Sequence, residues 1–476
     1  MLDFSKLEQY RENNRIEAKR ALGGLPKSIW ETYSAFANTM GGVILLGVEE
    51  HKDGSLHAID LPQPEKLARV FWRQLNDTQK ASVNILSRRQ VQIRNAGGKR
   101  IVAIFVPRAQ RLDRPVFVDG DPLSGVYRRS GEGDYRCNKE EVAAMLRDAA
   151  RQTPDMQPLP AMDASVFHGE SVARYRNRLR QLRPGQAWED LDDGAFLCRL
   201  GAAVSGENGE IHPTAAGLLL LGKGEEIVKA FPGYSLEYED LTREPALRIL
   251  SAAGDWSGNV YDFYQRVSHS MDGRRHAAAV DSDAADAAKA LREALINCLV
   301  NADYYGRQGV TIRHEATGFV FANPGAFRVA VEAAQSGGVS DPRNAALSKM
   351  FHVLHIGDGD GDGLAAIYAA WQRHGWPPPL IEESFEPERI TLFLSFDKDG
   401  KRRRVLGRHK KTALAHMRKR LVVDYLTEHP SAKVPAVAQY LSLRPALVRR
   451  LLKELAAEDI VTAERRRGGA VYRLKA

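Results

Sequence analysis

The chain has 476 residues, which allows about three or four domains. Hydrophobic residues are 43% and charged residues 27%, a globular balance that excludes a disordered, collagenous or low-complexity chain. No apolar run reaches the ~20 residues of a membrane-spanning helix, the charged start MLDFSKLEQYRENNR has no signal core, and the three scattered cysteines, Cys137, Cys198 and Cys298, imply neither a disulfide framework nor a zinc knuckle. The expectation is a cytoplasmic protein with no membrane partner.

In chain order, residues 28–38 (SIWETYSAFAN) predict a helix and Gly41–Val48 a buried strand after a Gly-Gly turn. Val91–Arg94 and Arg100–Val106 predict a hairpin around Gly97-Gly98, and Val116–Val118 and Gly125–Arg128 predict further strands. The whole reads as an α+β domain over residues 1–150. Glu12 and Glu17 precede the helix, Lys19 follows two residues on, and Glu49 and Glu50 end the buried strand. Carboxylates from a pre-helix loop and a strand end can converge to bind one or two Mg²⁺ or Mn²⁺ ions for phosphodiester cleavage, with Lys19 on the scissile phosphate. By composition alone the stronger reading is a few solvated glutamates among 60 acidic residues.

The stretches RIEAKRAL and YSAFANTMGGVILLGVEE resemble the Schlafen AlbA-type domain. The resemblance implies an acidic triad that cleaves transfer or ribosomal RNA in nuclease-active members, falling on Glu12, Glu17 and Glu50, or nucleic-acid binding alone. Glu50 stands where Asp is usual, and Ala18 replaces an aromatic residue.

Residues 151–162 (RQTPDMQPLPAM) read as a Pro-rich linker. Residues 163–288 read as a connecting α/β region without chemistry, holding a helix around Gly258–Met271 and a leucine run, Leu218–Leu221, short enough for a buried strand. Gly217 to Lys223 has a P-loop skeleton, but four leucines fill the loop and Gly224 replaces the magnesium-binding hydroxyl, so a buried element is expected.

Residues 289–397 carry the second constellation. In KALREALINCLVNADY, Glu293 and Asn297 are four apart and share a side of the helix. A carboxylate and an amide oxygen so placed can hold hydrated Mg²⁺ and orient a water, though the pair is also common on solvated faces. Strands Val310–Arg313 and Gly318–Ala322, the turn Asn323-Pro324-Gly325, and a glycine-rich stretch from His355 to Gly363 before a helix follow. Glycines at a helix N-terminus let backbone N–H groups cradle phosphate. Asp358, Asp360 and Asp362 imitate a calcium loop, but Ala369 at its twelfth position removes the bidentate ligand. REALINCLVNADY, FANPGAF, SDPRNAALSKMF, GDGDGLAAIYAAW and RITLFL together resemble the GHKL-type ATP-binding domain, an α/β sandwich, in the form found in bacterial RecG-related transcriptional-regulator proteins. The resemblance implies ATP with Mg²⁺ as cofactors, Glu293 activating water, Asn297 coordinating magnesium, and Asn323, Gly325, Gly361 and Gly363 in the adenine and lid boxes. Asn301 stands where relatives usually have His.

Residues 398–411 form a basic linker, and residues 412–476 pattern as helix (412–428), helix (433–441), helix (Arg444–Glu458) and a hairpin around Arg465–Gly469, a winged helix-turn-helix. From Lys401 on there are 20 Lys/Arg against 6 Asp/Glu, whereas the first 400 residues hold 48 against 54. A basic segment on a mildly acidic body fits a polyanion partner, DNA and/or RNA, with Arg444, Arg449, Arg450 and Lys453 on the third helix and Arg465, Arg466 and Arg467 at the wing tip. Use of the winged helix for protein contacts is the alternative. No internal repeat or heptad pattern appears, and homo-oligomerisation stays open. Two readings result: an ATP-binding, nucleic-acid-acting protein of defence type with a metal-dependent nuclease domain, or a non-catalytic, ATP-responsive transcriptional regulator.

Overall fold

The computed structural model describes residues 2–272, 282–357, 361–385, 387–397, 422–423, 425–426, 429, 431–440, 445–457, 460–466 and 469–475. The chain forms two compact units, 1–396 and 397–476.

The first unit begins with β1 (Ile16–Lys19), α1 (Ile29–Asn38), β2 (Gly42–Leu46), β3 (Val48–Glu50), β4 (Leu56–Ala58), α2 (Pro64–Leu75), β5 (Val91–Ala96) and β6 (Lys99–Val106). A four-stranded sheet runs β1-β2-β6-β5, with β1 parallel to β2 and the other pairs antiparallel. All of α1 except Glu31 is buried. Leu67, Phe71 and Leu75, spaced by four along α2, make its buried stripe, and Phe71 stacks on Trp30 at 5.5 Å. The single strand expected over 41–48 is split at Gly47. Its φ of +84° suits glycine, and a side chain there would strike Leu61. The break sends β3 out of the sheet to pair with β4, and Glu49 and Glu50 go with it. β7 (Tyr127–Ser130), β8 (Gly133–Arg136) and α3 (Lys139–Ala149) complete this region.

The middle of the chain forms α4 (Gly169–Leu182), α5 (Asp193–Leu200), β9 (Ala203–Ser205), β10 (Ile211–Pro213), α6 (Ala215–Leu221) and α7 (Gly224–Ala230). Here Leu218–Leu221 is helical rather than extended. Thr214 caps α6 through its side chain, and a Cβ on Gly217 would overlap the Ala202 backbone, so the P-loop skeleton is a packing feature. The segment expected as a linker is packed in place: Asp155 is fully buried and accepts from Leu347 N at 2.9 Å.

There follow β11 (Leu236–Asp240), β12 (Leu247–Leu250), α8 (Val260–Asp272), α9 (Ser282–Val300), β13 (Val310–Glu315), β14 (Gly318–Pro324), α10 (Val331–Ser336), α11 (Ala345–Val353), α12 (Gly363–Arg373), β15 (Leu380–Phe385) and β16 (Glu388–Ser395). One six-stranded sheet runs β12-β11-β13-β14-β16-β15. It takes two strands from the region expected to be a separate connector, and one hydrophobic core runs from Val166 to Leu394. The expected boundary at 288 is therefore not a boundary in packing.

The N-terminal region docks on this body through arginines. Arg108 forks onto Glu383, with 2.9 Å from Nη2 to Oε1. Arg128 pairs with Glu388 at 2.6 Å, Arg147 with Asp303 at 3.1 Å, and Arg343 with Asp148. Arg108 and Arg128 also lie over the Phe385 ring. Buried charges cost several kcal/mol each in lost hydration, so such pairs hold only while both partners are present.

The second unit holds β17 (Ala432–Lys433), α13 (Val434–Tyr440), α14 (Pro445–Ala457), β18 (Val461–Arg466) and β19 (Gly469–Leu474), with sheet order β17-β19-β18. Val448, Leu451, Leu452 and Leu455 of α14 pack with Val437, Val461 and Tyr472. Residues 412–421, most of the first helix expected here, lie outside the described residues.

Candidate functional site

A cavity of about 180 Å³ lies between α9, α12, β14 and β16. Glu293 and Asn297, one turn apart on α9, both line it. Gly363, the first residue of α12, faces that pair. A Cβ there would overlap Glu293 Oε1 and come within 2.9 Å of Asn297 Nδ2. Only glycine lets the N-terminus of α12, whose first N–H groups have no partner within the helix and which carries the positive end of the helix dipole, come so close. Gly361 has a φ of +84° and also lines the cavity, against the Val339 backbone.

The opposite wall begins at Asn323, next to last in β14 and 5% exposed. Its Nδ2 donates to the carbonyls of Asn301 at 3.3 Å and Pro324 at 3.2 Å, which leaves Oδ1 as its acceptor. Asn301 Nδ2 in turn donates to Asn297 O at 2.9 Å, so this side chain acts on α9 rather than as a base. Gly325 has another role than the one expected. It lies outside the cavity lining, with a φ of +102°, and a Cβ there would sit 2.6 Å from the Arg343 guanidinium. It leaves room for the arginine that anchors Asp148. The apolar lining includes Phe321, Ile356, Ile367 and Ile390. An apolar cleft with a few converging polar groups is the usual form of a small-molecule site. Arg328 and Asp341, which the sequence reading did not single out, are also part of the wall.

The carboxylates of the N-terminal region gather near β1. Glu12 Oε1 accepts from Ala18 N at 2.8 Å. Burial raises the Glu12 carboxyl above its ordinary value, and the charges of Glu17 and Glu50 raise it further, against the Ala18 N–H and Arg129. Glu12 thus lies within the fields of Glu17 and Glu50. Glu17, however, is held by two cations: Lys19 Nζ lies 2.9 Å from Oε1 and Arg129 Nη2 lies 2.9 Å from Oε2. Lys19 also donates to Ser28 Oγ at 3.1 Å. Arg129, with a side chain 1% exposed, bridges to Asp134 at 3.0 Å, and Asp134 accepts from Thr32 Oγ1 at 2.6 Å. Glu49 instead pairs with Arg20 at 3.3 Å and His51 at 3.5 Å. Among the described residues no three His, Cys, Asp or Glu side chains are placed to share a metal ion. Arg129 and Asp134 were missed in the sequence, although strand alternation offers a signal. Adjacent Arg128 and Arg129 on β7 serve opposite sides, Arg128 the domain contact and Arg129 the acidic group.

In the second unit, Arg449, Arg450 and Lys453 are exposed, away from the buried stripe of α14, and Arg450 lies 3.6 Å from Glu454. Arg444 and Arg467 lie outside the described residues; Arg465 and Arg466 end β18, with side chains outside the description.

Family comparisons cover three stretches of this mixed α+β chain. Residues 12–138 match the family "Schlafen, AlbA_2", residues 310–392 match "Putative ATP-dependent DNA helicase recG C-terminal", and residues 143–237 match a domain of unknown function, DUF8451. The second match begins after α9, so Glu293 and Asn297 lie upstream of it. No protein of curated function matches the chain. Among solved structures, the DIP2311 protein from Corynebacterium diphtheriae is 18% identical over 97% of this chain and 80% of its own, with a TM-score of 0.39. The N-terminal domain of a RecG-related protein from Nitrosomonas europaea is 33% identical over 29% of this chain and 94% of its own, with a TM-score of 0.23. The chain thus carries a Schlafen AlbA_2 domain and a RecG-related C-terminal ATPase-like domain, the parts of a nucleic-acid-associated, ATP-binding protein. Among the described residues no helix is long and apolar enough to cross a membrane.

Proposed function

We propose that the cleft between α9 and α12 is a GHKL-type site for ATP and that the protein acts on nucleic acid through its AlbA_2 domain and a C-terminal winged helix. The observation that carries this reading is the meeting of Glu293, Asn297 and Gly363. The α12 N-terminus offers N–H donors to phosphate, Asn297 offers an amide oxygen to magnesium, and Glu293 stands where a water would be oriented. Magnesium, when bound there, would neutralise phosphate charge. Asn323 Oδ1 suits the amino group of adenine and not the carbonyl of guanine. Equilibrium titration with ATP and GTP tests this. ATP should bind, and GTP should bind roughly tenfold or more weakly, because an acceptor would face an acceptor. Equal affinities would sink the adenine assignment, and absence of binding would sink the site.

For the AlbA_2 domain the arrangement favours binding over cleavage, because both oxygens of Glu17 are already engaged by cations. A metal-dependent RNA endonuclease is the second reading, favoured by the like-charge crowding of Glu12, Glu17 and Glu50. Transfer RNA and DNA incubated with Mn²⁺ or EDTA separate the two. Metal-dependent products that vanish in Glu17→Ala support cleavage; intact substrate throughout supports an ATP-responsive regulator.

A further inference from the structure

Arg328 is an unusual wall residue. Its side chain is 4% exposed, and it lines the cavity. Nη1 donates to Pro342 O at 3.2 Å. Nε and Nη2 are buried without a hydrogen-bond partner among the described residues. Nη2 lies 3.2 Å from Asp341 Oδ1, close enough for attraction but without hydrogen-bond alignment. Buried donors left unmade are rare and costly, and a guanidinium with open donors at a cavity is shaped for a planar or tetrahedral anion.

Asp341 is shared. It also lines the cavity, and its Oδ2 accepts from Arg111 Nε of the AlbA_2 domain. Arg111 is fixed from behind by the carbonyls of Asp148 at 2.9 Å and Ala150 at 3.0 Å. The neighbouring wall residue Phe327 offers its carbonyl to Arg108 at 3.0 Å, again from the AlbA_2 domain. The segment that carries Asp341 also reaches the phosphate end: the Val339 backbone abuts Gly361, and Gly338 N donates to Asp362 Oδ1 at 2.8 Å, beside Gly363. One carboxylate therefore stands between a half-satisfied arginine of the cavity and an arginine of the nucleic-acid domain.

Resting on the nucleotide reading above, we propose that Arg328 reads a phosphate of the bound nucleotide and that Asp341 is the carboxylate this phosphate displaces. Phosphate supplies the acceptors that Asp341 fails to align. Once Arg328 turns to phosphate, Asp341 is left to Arg111 alone, and the contact between the two domains changes with nucleotide occupancy. Because a ligand shifts a contact only by binding its two arrangements differently, the coupling must be reciprocal.

The test is calorimetric titration of the full chain with Mg-ATP and with adenosine, for wild type, Arg328→Gln, Arg328→Lys and Asp341→Asn. Arg328→Gln should weaken ATP roughly 10- to 100-fold, the loss of one charge-assisted contact, and leave adenosine unchanged. Arg328→Lys should recover part of the loss, since it keeps the charge but not the fork. Asp341→Asn keeps the size and removes the competitor, so ATP should bind more tightly than to wild type. Unchanged ATP affinity in Arg328→Gln, or equal loss of ATP and adenosine, would overturn the proposal, as would weaker ATP binding by Asp341→Asn. Failure of wild type to bind ATP would end the nucleotide reading itself, whereas ATP bound at full strength by Arg328→Gln would end this inference alone.

Discussion

The two charged sites of the first unit are built in opposite ways. Around β1, the carboxylates are met from within: Glu17 by Lys19 and Arg129, Asp134 by Arg129 and Thr32, Glu12 by the Ala18 N–H. Around α9 and α12, room is kept open by Gly361 and Gly363, and Arg328 holds buried donors that have no hydrogen-bond acceptor among the described residues. A cluster whose charges are paired can present a surface or be prised open by a metal. A cleft with open donors is a site that a ligand completes.

The contrast can be broken at several points. The largest effect should come from Arg343→Ala. It strands Asp148, both side chains being under a tenth exposed, and should destabilise the first unit by about 3–5 kcal/mol in urea unfolding. A loss under about 1 kcal/mol would show that the domain contact is not held by that pair. Next is Gly363→Ala, which pushes Glu293 and Asn297 aside. Overpacking of about 1–3 kcal/mol corresponds to about 5- to 150-fold weaker ATP binding, and unchanged binding would remove Gly363 from the site. Arg449→Ala with Arg450→Ala should reduce the slope of log affinity against log salt for DNA by about 1 for each phosphate contact removed; an unchanged slope would assign α14 to protein contacts.

The smallest effect sharpens the other side. Burial and like charge raise the Glu12 carboxyl above its ordinary value of 4.5, so between the unfolded and folded values the folded state keeps a proton that the unfolded state has released. Its contribution is fully present below pH 4.5 and is lost as pH rises through the higher folded value. Glu12→Gln should flatten that fall in a series of unfolding curves from pH 4 to 7, and parallel pH profiles for the two proteins would contradict the crowding of Glu12 with Glu17 and Glu50.

Much of this was legible in the residues because it is local. The helix over 28–38, the hairpin about Gly97-Gly98, the i,i+4 pair on α9 and the stripe of α14 are periodic patterns a few residues long. What escaped depends on tertiary contact. The run Leu218–Leu221 is equally apolar as helix or strand, and the Thr214 cap and the Gly217 contact with Ala202 favour the helix. Gly47 splits a continuous apolar strand because Leu61 lies against it. Gly325 serves Arg343, a residue 18 positions away. Arg328 and Asp341 sit in a stretch with no periodic signal, and their meaning comes only from the cavity and from Arg111, more than 200 residues earlier.

Metal-dependent ATP binding through α9 is the property most open to direct measurement. Calorimetric titration of Mg-ATP into wild type and Asn297→Ala, repeated in EDTA, should give saturable one-to-one binding that weakens with either change, with little further loss when both are combined. Binding of equal strength in all four conditions would contradict the placement of magnesium and phosphate at Asn297.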